Sequence, residues 1–142
     1  VIQMGRQHER NGSIVMRQRK TGARLVLPIV GPLREALEKS PTGDLTYLVT
    51  EFGKPFSGTG FGNWFRDKCN AAGLRQCSAH GLRKAAARRL AEAGKSVHEI
   101  MAITGHRALG EVERYTRAAN QEALAVRASD GLSGAKKEPG NG

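Results

Sequence analysis

The sequence predicts an α+β fold, mainly α-helical, with a small β-hairpin at its edge. Three observations lead there. Apolar residues recur at helical spacing in several segments, most clearly from Ala79 onward. Strand-like residues with a tight turn between them are confined to a short stretch near the start. Gly73, Gly94 and Gly105 each follow a helical run at the point where it must stop.

Residues 1–4 carry no start signal, and the sequence begins as if partway through a domain. Arg10-Asn11-Gly12-Ser13 is a turn. Residues 14–19 then read as a strand, Lys20-Thr21-Gly22 as a tight turn and residues 24–28 as the returning strand, which makes a hairpin with a lysine at its tip. Pro32 starts a short helix carrying Leu33, Ala36 and Leu37 and ending near Ser40-Pro41. Residues 45–50 read as a short strand and Glu51-Phe52-Gly53-Lys54-Pro55 as a turn. A helix over about 59–72 puts Phe61, Trp64, Phe65, Cys69 and Ala72 on one stripe. Aromatics at that spacing read as core; base-stacking platforms are the alternative.

From Ala79 three short helices follow. In the first, Leu82, Ala86, Leu90 and Ala93 are expected on the apolar face, with Lys84 and Arg88 pointing away and Arg83 on its edge, three residues after His80 and on the same side. Ser96-Val97-His98-Glu99 is a capping box that opens the second helix, with Val97, Ile100 and Met101 inward. Gly105 ends it and leaves His106 just past its terminus. A third helix from about Ala108 carries Val112 and Tyr115 one turn apart. A separate Ala-rich helix over residues 120–128 includes Leu124 and Val126, and residues 130–142, with Lys136-Lys137, read as a flexible tail after a domain spanning 1–129.

The chain of 142 residues is long enough for one domain that buries about 70% of the surface its unfolded form exposes. Its 39% hydrophobic and 25% charged content is that of an ordinary globular protein. Its charge is not ordinary: 23 Lys and Arg against 13 Asp and Glu leave +10, which points to a polyanionic partner and first to nucleic acid. Charge alone does not separate DNA from RNA or from an anionic membrane surface. No apolar run approaches the ~18 residues of a membrane span, and no signal-peptide pattern opens the chain. Cys69 and Cys77 lie eight apart outside any paired motif and read as free thiols of a reducing compartment. A zinc site from Cys69, Cys77, His80 and His98 would match no recognised spacing.

His80-x-x-Arg83, then Gly105-His106, then Tyr115 nine residues after His106 within Arg114-Tyr115-Thr116, occur in that order. Together they resemble the tyrosine recombinase (phage integrase) family, over roughly residues 1–128. The resemblance implies the catalytic-domain fold of that family, with Tyr115 as nucleophile and His80, Arg83 and His106 around the attacked phosphate in one basic pocket. It also implies a role for Lys20, because the family carries a catalytic lysine on a hairpin followed by a Val-Pro-like strand end and a helix, as in the run from Lys20 to Ile29. Arg17, Arg19 and Arg24 are then assigned to DNA backbone contact or solvent. The sequence departs from the family in one respect. A further arginine belongs in a Gly-x-Arg-x-x-Glu helix start, upstream of the lysine. Gly5-Arg6-Gln7-His8-Glu9 has its glycine one position too close, and the 14 positions from Arg6 to Lys20 leave no room for the intervening helix and strand. The expectation is a C-terminal piece of a longer recombinase, lacking the first catalytic arginine and a separate DNA-binding domain.

The implied reaction is transesterification of double-stranded DNA through a 3′-phosphotyrosyl bond. It needs no cofactor, metal or small-molecule substrate. Arg83 suits bidentate phosphate contact, His106 donates to the same oxygens, His80 assists the phenol and Lys20 protonates the leaving 5′-oxygen. The family works as a tetramer on two duplexes, and such a protein is expected in the cytoplasm at the nucleoid, encoded by a bacterium, phage or mobile element. Taken singly, each residue has a plainer reading: Tyr115 as a half-buried core tyrosine, His106 as a helix-terminus charge, Arg83 as a salt-bridge partner. His98 reads as an exposed helix residue. Two other classes stand beside the enzyme: a helix-turn-helix regulator built on residues 90–115, and an RNA-binding module, for which the aromatic pattern is missing.

Overall fold

The computed structural model describes residues 1–133. The chain divides into two compact units, Val1–Arg83 and the residues from Lys84 onward.

The first unit opens with a 3-10 turn, Arg6–His8, and an antiparallel sheet in the order β1 (Glu9–Arg10), β2 (Ser13–Arg17), β3 (Arg24–Pro28). Asn11 and Gly12 both have positive φ (48° and 74°), as a tight two-residue hairpin turn requires, and they set Arg10 opposite Ser13. The turn was legible in the sequence; the two-residue strand before it was not. In the second hairpin Ile14 pairs with Leu27 and Met16 with Leu25, which gathers the covered side chains on one face, with Ile14 buried. The connection closes through Gln18 N–H to the Ala23 carbonyl (2.8 Å), with Gly22 at φ 68°. Helix α1 (Gly31–Lys39), with proline in its first turn, stops at Ser40 as expected.

The strand expected over residues 45–50 does not form; only an isolated bridge joins Val49 to Pro55. The reason is visible in the burial of two neighbours. Thr46 and Tyr47 are both 7% exposed, whereas adjacent side chains of a strand point to opposite faces. The segment is instead tied to the start of the chain. Tyr47 N–H donates to the Met4 carbonyl (2.7 Å), Gln7 Nε2 donates to the Leu45 carbonyl (2.7 Å), and the Tyr47 hydroxyl donates to the Glu9 carboxylate. Gly5 permits this approach, because a Cβ there would sit 2.2 Å from the Leu45 carbonyl oxygen.

Helix α2 (Gly58–Ala71) is capped by Ser57, whose Oγ accepts from Gly60 N–H at 3.0 Å. On its expected aromatic stripe the Phe61 ring centroid lies 5.8 Å from Trp64 and 5.9 Å from Phe65. Phe56, which precedes the helix, joins them at 5.3 Å from Trp64 and 5.6 Å from Phe61; the group is a partly covered cluster rather than a sealed core. Cys69 is buried, while Trp64 keeps 40% of its surface exposed. Cys69 and Cys77 are both free thiols. Among the described residues no three metal-ligating side chains are gathered, and no helix is long and apolar enough to cross a membrane.

Helix α3 (Ala79–Glu92) carries the chain into the second unit, where α4 (Val97–Thr104) and α5 (Leu109–Ser133) follow. The core here is Ala87, Ala91, Ile100 and Val112, with Leu90, Val97, Met101, Tyr115 and Ala119 packed against it. This corrects the apolar face expected for α3. Leu82 is 59% exposed and Ala86 and Ala93 are exposed, while the row one position on, Ala87 and Ala91, is buried. The large side chains of Ile100 and Val112, both fully buried, fill the space over these two alanines. The two helices expected after Ala108 are one. Between Val112 and Asp130 there is neither glycine nor proline, so nothing stops α5, and it continues to Ser133. Leu124 and Val126 lie exposed on it. The remainder of the expected tail, residues 134–142, lies outside the described residues.

Burial, then the bond to Glu9, push the Tyr47 phenol from 10.0 up to about 12. Its protonated form is favoured by folding, so this contribution to stability is complete below the unfolded value and is lost as pH rises from about 10 through 12. Urea unfolding across that window should lose stability more steeply in the native chain than in Tyr47→Phe. Parallel pH curves would contradict this placement of Tyr47.

Candidate active site

Tyr115 sits one turn beyond Val112 on α5, half-buried and packed against the core of its unit. A cavity of about 460 Å³ opens beside it. Lys84, Arg88 and Glu92, spaced by four, present one row of α3 to this cavity, and Glu111, Arg114 and Glu122 line it from α5. Arg88 Nε donates to Glu92 Oε1 at 2.7 Å. The surroundings of the phenol within this unit are therefore mixed in sign, three cations and three carboxylates, not basic throughout.

His106 occupies the turn between α4 and α5. The capping box holds the start of α4: Ser96 N–H donates to Glu99 Oε2 (2.7 Å) and Glu99 N–H to Ser96 Oγ (3.2 Å). At its other end Gly105 takes φ 68°, and its N–H closes on the Met101 carbonyl (2.8 Å). The chain leaves that left-handed residue with His106 turned inward, 6% exposed. Its Nδ1 is hydrogen-bonded to the Thr104 hydroxyl, and its Nε2 lies 3.6 Å from Glu111 Oε1.

Lys20, His80 and Arg83 lie in the first unit, and His106 and Tyr115 in the second. His80 and Arg83 are one turn apart at the start of α3, His80 exposed and Arg83 half-buried. Arg83 has no ion pair among the described residues, and its Nε is buried without a hydrogen-bond partner. Leaving a buried donor unpaired costs about 1–3 kcal/mol, more for a charged group, so the plain salt-bridge reading of Arg83 has no support. Lys20 is exposed at the tip of the β2–β3 hairpin. Below it Arg17 and Arg24 are cross-strand partners, a like-charge pairing that opposes folding and is relieved by an anion. Arg6 is exposed on the 3-10 turn.

The sequence reading gave no place beside Tyr115 or His106 to five residues: Lys84, Arg88 and Arg114, which it named in other contexts, and Thr104 and Glu111, which it did not name. The spacing His80–Lys84–Arg88 was present in the sequence as a signal, but these cations read there as a solvated face. Thr104 and Glu111 could be recognised only through the inward turn of His106.

The sequence pattern of the phage integrase family matches residues 4–122. No curated protein sequence matches the chain. Among solved structures the fold is similar to the XerA recombinase, with a TM-score of 0.69 at 19% identity over 89% of this chain and 50% of that one. It is similar to the XerH site-specific recombinase bound to palindromic difH substrate (TM-score 0.62, 18% identity, 89% of this chain and 40% of that one). A third is the Tn1549 transposon integrase in complex with transposon right-end DNA (TM-score 0.63, 16% identity, 87% and 53%). The chain thus spans about half the length of these proteins.

The capping box makes a prediction. Ser96→Ala removes one half of it and should cost about 1 kcal/mol, as N-cap losses do. Glu99, whose carboxyl is held below 4.5 first by the Ser96 N–H and then by the Ser96 hydroxyl, loses the second of these bonds. Its contribution is present above the ordinary carboxylate range and lost as pH falls through the lowered value. Hydrogen exchange should show faster exchange of the α4 amides in the variant at neutral pH; unchanged protection would refute the role of the cap.

Proposed function

We propose that this chain, which belongs to the phage integrase family, cleaves and rejoins double-stranded DNA through Tyr115. The phenolate oxygen attacks a phosphorus, a 3′-phosphotyrosyl bond forms, and the 5′-oxygen departs with a proton. A 5′-hydroxyl of another strand reverses the step, so bond energy is conserved and no nucleotide cofactor is consumed. Negative charge gathers on the non-bridging oxygens in the transition state, and placed donors stabilise it. In this reading Arg83 and His106 supply those donors, His80 assists the phenol, and Lys20 delivers the proton to the leaving oxygen. Structural neighbours that are recombinases and integrases in complex with DNA support the choice of DNA as partner, and a homo-tetramer on two duplexes is the assembly we infer for it. Its place of action is then the bacterial cytoplasm, at the nucleoid.

The observation that carries this reading is Tyr115 held half-buried on a core-anchored helix, beside a cavity that Lys84, Arg88 and Arg114 reach. A core tyrosine needs no such cavity, and a helix-turn-helix regulator needs no tyrosine there. Arg83 Nε has no hydrogen-bond partner among the described residues, so that donor of the guanidinium is not committed to a carboxylate. We assign no phosphate to Arg6.

A pool of nicked duplexes, which trap the covalent product, tests this. Arg83→Ala should lower the yield rate of protein–DNA adduct by ~10²–10³, the cost of one preorganised donor, while Arg6→Ala should leave it unchanged. An equal loss in both would make Arg6 a second phosphate ligand. Binding that resists salt, or salt-sensitive binding without any adduct, would contradict the enzyme; the latter would favour the regulator.

A further inference from the structure

We infer that Thr104 is the residue that positions His106 for chemistry at Nε2, an inference that rests on the proposed phosphodiester reaction. Thr104 is the last residue of α4, and its hydroxyl donates to the Ile100 carbonyl one turn back at 2.8 Å. A hydroxyl has one proton, and that bond uses it. The same oxygen is hydrogen-bonded to His106 Nδ1, so it must accept there, and Nδ1 must carry the hydrogen. Ile100 is fully buried in the core, which fixes the carbonyl that begins this chain of bonds.

The consequence is a division of labour on the ring. Nδ1–H is committed to Thr104 in the neutral and the charged imidazole alike. Nε2 is the ring atom that gains or loses a proton, and it faces the Glu111 carboxylate at 3.6 Å, beside the cavity that Tyr115 and Glu111 share. To donate to a phosphate oxygen from Nε2, His106 must therefore be the imidazolium, which brings a positive charge together with the hydrogen bond. As a neutral ring it presents a lone pair at that atom and can only accept. Without Thr104 the neutral ring is released to the Nε2–H form that imidazole prefers in water. It would then meet a phosphate as an uncharged donor.

The test uses the chain with ¹⁵N-labelled histidine, alone and with the nicked duplex pool. At a pH where the ring is neutral, the His106 spectrum should show the proton on Nδ1 in the native chain and in Thr104→Ser. In Thr104→Val, which keeps the shape and removes the hydroxyl, it should move to Nε2. Adduct formation should fall roughly ten- to a hundred-fold in Thr104→Val, the range seen when the hydrogen-bond partner that orients a metal-bound histidine is lost, and Thr104→Ser should recover most of it. A proton on Nε2 in the native chain overturns the inference, and this measurement stands even if the valine variant does not fold. An unchanged tautomer or unchanged adduct rate in a folded Thr104→Val also overturns it. If the tautomers behave as stated but the native chain forms no adduct, Thr104 still orients His106 and the recombinase reading is the part that falls.

Discussion

The small buried cluster of Ala87, Ala91, Ile100 and Val112, drawn from three helices, is the constraint on which the second unit depends. Neither alanine carries atoms beyond Cβ, so α3 can lie against Ile100 of α4 and Val112 of α5, both fully buried. Burying two such side chains contributes about 1.5–3 kcal/mol each, and alanine gives up almost no side-chain entropy to join them. That small core does more than hold the helices. It sets Ile100, whose carbonyl anchors Thr104 and through it His106, and it sets Val112, one turn before Tyr115. The histidine and the tyrosine are thus fixed from the same four residues.

Charge is arranged against this economy. Helix α3 carries Arg83, Lys84, Arg88 and Arg89 with Glu92 as its only acid, and the β2–β3 hairpin sets Arg17 across from Arg24. Such groupings weaken the folded chain through like-charge repulsion. A polyanion lying along them reverses the sign of that effect. Near Tyr115 the pattern differs, because Glu92, Glu111 and Glu122 balance the cations. Carboxylates there oppose the approach of a phosphate, and Glu111, 3.6 Å from His106 Nε2, is the one beside the proposed histidine.

Much of this was legible in the sequence, for physical reasons that differ by element. Positive-φ glycines at 73, 94 and 105 and the Ser96/Glu99 box announce helix ends because local sterics and hydrogen bonds alone decide them. The hairpin around Lys20 is local in the same sense. The buried face of α3 was not legible, since leucine dominates a hydrophobic pattern, whereas here Leu82 is exposed and Ala87 and Ala91 are the buried positions. Nor was the fate of residues 45–50, whose strand-like composition was overruled by hydrogen bonds to Met4 and Gln7, far back in the chain. The motif residues His80, Arg83, His106 and Tyr115 were legible as a pattern in the sequence. The Thr104 and Glu111 contacts were not, because they follow from the inward turn of His106 after Gly105, and the mixed charge of the cavity was not, because residues of two helices line it.

The central claim is that Tyr115 is the covalent nucleophile, and the composition makes it sharply testable. The chain has two tyrosines. Tyr47 has its hydroxyl bound to Glu9 and its ionisation pushed up to about 12, which makes it a poor nucleophile. The decisive measurement is to trap the chain on the nicked duplex pool, digest the product and locate the phosphonucleotide by mass spectrometry. The account predicts it on Tyr115 and nowhere else. A nucleotide on Tyr47 or on any other side chain, or no covalent product at all, would contradict it.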